Sequence, residues 1–285
     1  MPDAVLANRT AIVTGAAGGI GRVLVEAFLD AGANVVALDV DDGTLTHLGS
    51  VLNEKYSSSK LLCSAIDIAD YSACEHAVES SIARFGGLHI LINNAAVGMG
   101  VIREDHFSRL VGIQEIDPDV WQRFIAVNVS GAWNMTRASA GHFLAQGWGR
   151  VINVTTSFFT MLRGGFHPYG PSKAALEAMA HGHAQEFEGT GVTVNVVVPG
   201  GPADTPLVPD DIGVDRNSLI APSVMVPPIL WLCSEGANEI TGNRYVAAHW
   251  DVAISPDQAE QICRAPAAWP QLAQSPVWPG GKPDR

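Results

Sequence analysis

Short runs rich in β-branched residues alternate with longer, helix-permissive stretches along most of this chain, and this alternation restricts the fold more than any other feature. A helix between two strands returns the chain to the same end of the sheet, so the strands pair in parallel. We therefore predict an α/β fold with a doubly wound parallel β-sheet and helices on both faces. The predicted strands are Thr10–Thr14, Asn34–Asp39, Leu61–Asp67, Leu88–Asn93, Arg150–Thr155, Val192–Val198 and Arg244–Ala247.

The composition indicates one folded globular domain and excludes several classes of partner. The 285 residues fit one domain of this kind, and 47% hydrophobic with only 16% charged residues excludes a disordered chain. The chain has 17 basic and 29 acidic residues, a formal net charge of −12. Such a surface repels the phosphates of nucleic acids and anionic lipids, so we expect neither nucleic acid nor membrane as a partner.

The cysteines are scattered at Cys63, Cys74, Cys233 and Cys263, with no spacing typical of a zinc site or a dense disulfide framework. We therefore expect no metal site and a reducing compartment. The first residues show no secretory signal pattern, and no apolar run approaches the roughly 20 residues that cross a bilayer. These observations predict a cytoplasmic location.

A glycine-rich turn follows the first predicted strand. Thr14–Gly21 reads TGAAGGIG and leads into the amphipathic segment Arg22–Asp30. Glycines let the backbone approach a pyrophosphate, whose charge is stabilised at the start of a helix. Asp39, at the end of the second predicted strand, can accept hydrogen bonds from the adenosine ribose and repels a 2′-phosphate. Neither Ala17 nor Val40 offers a basic group for that phosphate, so the pattern predicts NAD as cofactor.

The TGxxxGxG spacing resembles the short-chain dehydrogenase/reductase family, and further motifs recur in family order over about residues 8–248. The matching motifs are Thr14–Gly21, Asp67-Ile68, Asn93-Asn94-Ala95-Ala96, Asn128, Thr155-Thr156-Ser157, Tyr169-Gly170-Pro171-Ser172-Lys173, and Pro199-Gly200 followed by Thr205. The resemblance implies a single Rossmann-type domain, an NAD-dependent alcohol dehydrogenase or ketone reductase activity, and assembly as a homodimer or homotetramer.

The resemblance also implies positions for the cofactor. Asp67 and Ile68 would flank the adenine, Asn93 and Ala95 would line the central channel, and Thr205 would bind the nicotinamide amide or the phosphates. The complete set of implied cofactor-binding residues is Thr14, Gly15, Gly19, Ile20, Gly21, Asp39, Asp67, Ile68, Asn94, Ala95, Ala96, Tyr169, Lys173, Pro199, Gly200 and Thr205.

Tyr169 and Lys173 are four residues apart on a predicted helix, so both side chains project from one face. A phenol is a poor base at neutral pH, but a nearby ammonium and a cationic nicotinamide favour its ionised form and lower its pKa. We expect Tyr169 to act as the acid/base, with Lys173 lowering its pKa and binding the nicotinamide ribose. Asn128 resembles the family asparagine that bends its helix and positions a water next to the lysine. Its alternative role is to bind backbone groups within the helix.

The hydroxyl that orients the substrate oxygen is ambiguous. In the family pattern it lies three positions after an asparagine and thirteen before the tyrosine, which from Asn153 and Tyr169 gives Thr156. The threonine methyl group makes this side chain stiffer and crowds the substrate. Ser157 would point inward instead if the strand exit slipped by one residue. Thr156 and Ser157 therefore remain equal candidates.

An apolar, aromatic-bearing stretch, residues 157–168, is expected to form the substrate wall together with Val97, Met99 and Leu207. Such walls bind hydrophobic molecules, so we predict interconversion of a secondary alcohol and a ketone on a cyclic or aromatic small molecule. One alternative is a cis-dihydrodiol or cyclic alcohol dehydrogenase of aromatic catabolism, and another is a non-catalytic NAD-binding sensor. Arg103, Arg163 and His167 could contact a carboxylate or a phenol, but we interpret them as surface side chains.

The sequence divides into a dinucleotide-binding catalytic domain, residues 1–251, and a C-terminal extension, residues 252–285, called the tail below. Within the domain, residues 98–117 form an insertion expected to cover the strand ends, called the lid, and residues 202–221 form the substrate loop. The tail contains Trp269 and Trp278. Because an exposed tryptophan is costly, we expect the tail from Gln261 onward to be ordered, to pack through Trp269 or Trp278 against its own or a partner subunit, and to help close the site.

Overall fold

The computed structural model describes residues 5–210, 212–213 and 215–272. Its strands form one sheet in the order β3-β2-β1-β4-β5-β6-β7-β8. Strands β1 to β7 pair in parallel, whereas β8 pairs antiparallel with β7. The strands are β1 (Thr10–Thr14), β2 (Asn34–Asp39), β3 (Leu61–Ala65), β4 (Ile90–Asn93), β5 (Gly149–Val154), β6 (Val192–Val198), β7 (Asn243–Val246) and β8 (Arg264–Pro266). The predicted fold class is confirmed, and β8 is an addition that the strand patterns did not predict.

Helices cover both faces of this sheet. They are α1 (Gly19–Asp30), α2 (Asp42–Lys55), α3 (Tyr71–Phe85), α4 (Pro118–Ile125), α5 (Ala132–Gln146), α6 (Phe158–Leu162), α7 (Tyr169–Glu186), α8 (Val226–Leu232) and α9 (Pro256–Cys263). Strand β1 shows why both faces are apolar: Ala11 and Val13 belong to one buried cluster, and Ile12 between them belongs to the cluster on the opposite face. In the described ranges, every helix is too short or too polar to cross a membrane.

Two strand boundaries differ from the prediction because side chains bind the backbone there. Strand β3 ends at Ala65 rather than Asp67, since the Asp67 carboxylate accepts a hydrogen bond from the N–H of Ala69 at 2.9 Å and turns the chain. Strand β4 begins at Ile90 rather than Leu88. The N–H of Leu88 donates to His142 Nε2 at 3.1 Å, and the carbonyl oxygen of Leu88 accepts from Gln146 Nε2 at 2.7 Å.

Other boundaries differ by a few residues. Strand β5 begins and ends one residue before the prediction, because Gly149 already pairs with Val192 of β6. Strand β7 also begins one residue earlier and ends before Ala247, where a 3-10 turn starts. Helix α1 begins at Gly19 instead of Arg22, so the last glycines of the turn belong to its first turn.

The lid is folded and packed against the domain. Arg103 holds it together: its guanidinium donates to the carbonyl oxygens of Arg109 and Leu110 at 2.8 and 2.9 Å and pairs with Glu115 at 2.9 Å. The lid residues Met99 and Val111 form a buried cluster with Phe124 and Phe166. Arg103 therefore has a structural role within the lid.

The tail continues the domain after β7. Strand β8 pairs with β7, and the phenol of Tyr245 in β7 donates to Glu260 in α9 at 2.8 Å. The indole ring of Trp269 packs on Phe158, with ring centroids 5.4 Å apart. Trp269 thus makes the contact expected of a tail tryptophan, within the same chain, while Trp278 lies outside the described residues.

We predict that Trp269→Ala lowers the free energy of unfolding by about 1 kcal/mol, because the variant removes one aromatic pair and its apolar contact. The melting temperature measured by circular dichroism should fall by about 2–4 °C. Leu272→Ala, in the same tail but 71% exposed, is the control and should change little. Equal melting temperatures for the wild type and Trp269→Ala would contradict the contact.

Candidate active site

A cavity of about 670 Å³ opens at the carboxyl ends of the parallel strands. Ligands of open α/β sheets bind at this edge, because polar loops from neighbouring strands meet there. Most of the residues predicted for the site border the cavity. They are Gly15, Gly19, Ile20, Asp39, Asp67, Ile68, Asn94, Ala95, Ala96, Thr156, Ser157, Tyr169, Lys173, Pro199, Gly200 and Thr205.

The glycine-rich turn forms one wall and leaves room for a ligand. A Cβ atom added at Gly18 would meet nothing within 4 Å, and Gly18 lines the cavity. Gly18 is also the N-cap of α1, and no side chain caps the first turn of that helix. Free N–H groups at a helix start beside open space suit a pyrophosphate, so these residues fit a dinucleotide.

Two residues predicted for the cofactor do not border the cavity but shape it. The Thr14 hydroxyl donates to the carbonyl oxygen of Ile92 at 3.1 Å and accepts from the N–H groups of Asn94 and Ala95. A Cβ atom at Gly21 would lie 1.9 Å from the carbonyl oxygen of Gly15, so only glycine lets α1 pack this closely on the turn.

The expected position of Asn93 in the channel is wrong. Its side chain is 3% exposed and donates to Thr136 at 3.1 Å and Asn153 at 3.0 Å, beneath the strand ends. The next residue, Asn94, borders the cavity, and its amide donates to the carbonyl oxygens of Thr14 and Gly15 at 2.9 and 3.1 Å. Consecutive strand residues face opposite ways, which explains the difference.

Two carboxylates lie on the β2 and β3 side of the cavity. Asp39 accepts from the N–H of Ala17 at 3.0 Å and of Asp41 at 3.2 Å. Asp67 pairs with Arg123 of α4 at 2.7 Å. Burial raises the pKa of Asp67, but the hydrogen bonds from Arg123 and Ala69 outweigh it and hold the pKa below its usual value. Asp67 can therefore accept hydrogen bonds as a carboxylate at neutral pH. No sequence pattern indicated Arg123.

Tyr169 and Lys173 lie on α7 at the other side of the cavity. Burial raises the pKa of the Tyr169 phenol to about 12, against the effect of a hydrogen bond with Thr156. Burial lowers the pKa of Lys173 to about 8, and its Nζ donates to the carbonyl oxygen of Val154 at 2.8 Å. The lowering of the Tyr169 pKa that we expect from Lys173 together with a cationic nicotinamide stays a prediction.

The two candidate hydroxyls have different surroundings. A hydrogen bond with Thr156 acts against the rise in the pKa of the Tyr169 phenol. The hydroxyl of Ser157 instead accepts from the N–H of Thr160 at 3.1 Å and lies 3.0 Å from the Thr160 hydroxyl, so it caps the short helix α6. The Ser157 hydroxyl is therefore engaged in the cap of α6, whereas Thr156 acts on the Tyr169 phenol.

Asn128 lies in a π-helical turn, Ala126–Gly131, between α4 and α5. Its amide oxygen accepts from the N–H of Val97 at 2.7 Å, and its amide nitrogen donates to the carbonyl oxygen of Val97 and to Ser172, both at 3.0 Å. The side chain therefore joins the loop after β4 to α7. It does not border the cavity, and its backbone partner belongs to that loop rather than to its own helix.

A buried ion pair behind the cavity was not predicted. Arg244 of β7 and Glu177 of α7 are paired at 2.7 Å, with their side chains 5% and 0% exposed. Glu177 also accepts from the Thr155 hydroxyl at 2.8 Å, and Arg244 donates to the carbonyl oxygen of Thr156 at 2.7 Å. Isolated charged residues in a sequence are usually exposed, so no pattern indicated this pair.

The remaining wall is apolar and aromatic, as predicted. Val97, Met99 and Leu207 border the cavity together with Phe159 and Phe166. The lid contributes Phe107 and His106 to this wall, and no sequence pattern indicated these two residues. The rings of Phe107 and Phe166 meet edge to face at 5.6 Å.

Comparison with known proteins decides the family. The sequence model described as short chain dehydrogenase matches residues 9–211 of this chain. The chain belongs to the short-chain dehydrogenase family. It is therefore an oxidoreductase with a small-molecule substrate.

Two curated relatives act on ring alcohols, according to their names. One is the 3beta-hydroxysteroid dehydrogenase 2 of Eggerthella lenta, 33% identical over 69% of this chain and 72% of the relative. The other is the 2,5-dichloro-2,5-cyclohexadiene-1,4-diol dehydrogenase LinX of Sphingobium indicum, 29% identical over 87% of this chain and 98% of the relative.

Solved structures share the fold. A 3-ketoacyl-(acyl-carrier-protein) reductase of Brucella melitensis complexed with NADH superimposes with a TM-score of 0.72 at 25% identity, covering 84% of this chain and 96% of that one. A short chain dehydrogenase of Shigella flexneri complexed with NADP reaches 0.77 at 24% identity, covering 86% and 99%. The second likeness concerns the fold alone.

We predict that Glu177→Gln lowers the free energy of unfolding by about 3–5 kcal/mol, because it leaves the buried guanidinium of Arg244 without its counter-charge. Urea unfolding followed by tryptophan fluorescence measures the change. Glu186→Gln replaces an exposed glutamate near the end of the same helix and serves as the control. A stability equal to that of the control would mean that the pair contributes little.

Proposed function

We propose that this chain is an NAD(H)-dependent dehydrogenase that interconverts a secondary alcohol and a ketone on a hydrophobic, ring-bearing small molecule. The observation that carries the proposal is that Thr156, Tyr169 and Lys173 border the same cavity as an aromatic wall. A bound nicotinamide supplies the hydride acceptor or donor. The residues of the chain supply the binding site and the proton.

The choice of NAD rests on Asp39. Its carboxylate is fixed by two backbone N–H groups at the end of β2, on the rim of the cavity. There it would bind the hydroxyls of the adenosine ribose and repel a 2′-phosphate. Gly15, Gly19, Ile20, Asp67 and Ile68 would complete this end, with Thr14 and Gly21 shaping the turn.

The proton chemistry rests on Tyr169. With a pKa of about 12 the phenol is protonated at neutral pH, so it can donate a proton to the oxygen of a ketone. In the reverse direction it must accept a proton, and the ammonium of Lys173 then stabilises the phenolate. Thr156 would orient the substrate oxygen, while Asn128 would hold α7 in register through Ser172.

The names of the two relatives support a ring substrate, and LinX in particular favours a cyclic diol as a second candidate. A non-catalytic NAD-binding sensor would not need a hydroxyl, a phenol and an ammonium around one cavity. Assembly as a homodimer or homotetramer and a cytoplasmic location stay predictions. The mass of the purified protein in solution would test the first of them.

We predict that the wild type binds NADH more than tenfold tighter than NADPH, because a like-charge contact with Asp39 costs more than about 1.4 kcal/mol. Asp39→Asn removes the charge and should bring the two affinities closer. The fluorescence of each reduced cofactor gives the dissociation constants without any substrate. Asp42→Asn, an exposed aspartate in the first turn of α2, is the control. Equal affinities in the wild type would refute the NAD assignment.

We predict that Tyr169→Phe lowers kcat by at least about 100-fold, because the ring stays but the oxygen that transfers the proton is lost. NADH formation from a panel of cyclohexanol, 1-indanol and a 3β-hydroxysteroid measures the rate. NADH affinity should change little. Turnover near the wild-type value would show that the proton follows another route.

Two neighbouring variants then separate the hydroxyls. Thr156→Ala should lower kcat strongly, whereas Ser157→Ala should leave it nearly unchanged and lower the stability by about 1 kcal/mol through loss of the α6 cap. A loss of kcat in Ser157→Ala alone would reverse the assignment.

A further inference from the structure

One charged side chain on the cavity wall has no part in the proposed chemistry. Arg163, directly after α6, borders the cavity and is half-buried. Across the described residues, its guanidinium has neither a hydrogen-bond acceptor nor a carboxylate partner. The other arginine among the described residues that border this cavity, Arg123, is paired with Asp67.

Two aromatic rings hold Arg163 in place. Its guanidinium carbon lies 4.6 Å from the ring centroid of Phe166 and 5.7 Å from that of Phe159. Phe166 is only 5% exposed and belongs to the buried cluster against which Tyr169 packs. Stacking uses the face of the guanidinium and leaves its N–H donors at the edge available.

The charges around the cavity are unevenly distributed: its carboxylates lie at one side, where Arg123 pairs with Asp67, and its other two cationic side chains lie at the opposite side. Among its described lining residues the carboxylates are Asp39 and Asp67, which follow β2 and β3. Arg163 and Lys173 come after β5 in the chain, in the same part of the cavity wall as Tyr169 and the aromatic side chains. The chain as a whole has a net charge of −12, so a positive substrate side is a local feature rather than a consequence of composition.

We propose that Arg163 binds a carboxylate of the substrate, which makes the substrate a ring-bearing hydroxy acid. A planar guanidinium with free donors matches the two oxygens of a carboxylate. The ring of the substrate would lie against Phe107 and Phe166, and the hydroxyl would reach Tyr169. The hydroxyl part of this inference rests on the proposed function, whereas the carboxylate part does not.

Binding of non-reacting probes tests the carboxylate site without turnover. Benzoate and 2-naphthoate, each compared with its primary amide, are titrated into the NADH-loaded enzyme by calorimetry. The wild type should bind at least one acid about tenfold tighter than its amide, since a charge-assisted hydrogen bond of this kind changes affinity by that factor or more. Absence of this preference for both pairs overturns the proposal.

Variants tie the preference to Arg163. Arg163→Gln should abolish it, and Arg163→Lys, which keeps the charge but not the paired donors, should retain part of it. Arg84→Gln is the matched control, because Arg84 is exposed on α3 and stacks on Phe85 at 5.4 Å, away from the cavity. If Arg163→Gln folds with wild-type stability and keeps the preference, the proposal is wrong.

Turnover separates this inference from the proposed function. With NAD, 4-hydroxycyclohexanecarboxylate should show a kcat/KM about tenfold above that of its carboxamide, and Arg163→Gln should remove the difference through KM. Oxidation of both alcohols at equal kcat/KM overturns the carboxylate site and leaves the dehydrogenase function intact. If neither alcohol reacts while the probes keep their Arg163-dependent preference, the proposed function fails and the carboxylate site stands.

Discussion

The buried ion pair between Glu177 and Arg244 fixes the parts of the site relative to one another. Glu177 is in α7, the helix that carries Tyr169 and Lys173, and Arg244 is in β7. Through Thr155 the pair also holds the end of β5, where Thr156 lies. A buried ion pair stabilises a fold only when the other donors and acceptors of both side chains also form hydrogen bonds. Here a hydroxyl, a carbonyl and a backbone N–H group supply these hydrogen bonds to Arg244 and Glu177.

The same pair extends to the tail. The N–H of Ala268 donates to Glu177 at 3.3 Å, and the guanidinium of Arg244 lies 4.1 Å from the ring centroid of Phe158, on which Trp269 packs. Residues after β7 therefore contact the back of the wall that holds the candidate catalytic hydroxyl. This connection explains how a segment outside the family motifs can influence the site.

The sequence predicted what short-range patterns encode. Strands β1, β2 and β6 have the predicted limits, because nearly all of their residues are buried and rich in β-branched side chains on a sheet covered on both faces. The residues of the glycine-rich turn and of the Tyr169 helix reach the cavity because their spacing reflects helix geometry and parallel strand ends. The distinction between Asn93 and Asn94 needed the strand direction, which the spacing alone did not give.

Partners far apart in the sequence could not be predicted. Glu177 and Arg244 are 67 residues apart, and neither stands in a motif. Ser157 caps the short helix α6, and no sequence pattern predicted this helix. The capping role of Ser157 could therefore be recognised only in the structure. Strand β8 consists of three exposed residues whose pairing with β7 has no hydrophobic signature.

Strand β8 also determines whether the edge of the sheet can form hydrogen bonds with a strand of a second chain. The N–H of Ala267 points toward β7, where it donates to Gly242 at 2.9 Å, so the nitrogen of Pro266 lies on the outer side by the alternation of a strand. Proline has no N–H to donate there. A second chain approaching this edge would therefore find an incomplete row of donors, and association of copies by a continuous intermolecular sheet is disfavoured at this side of the molecule.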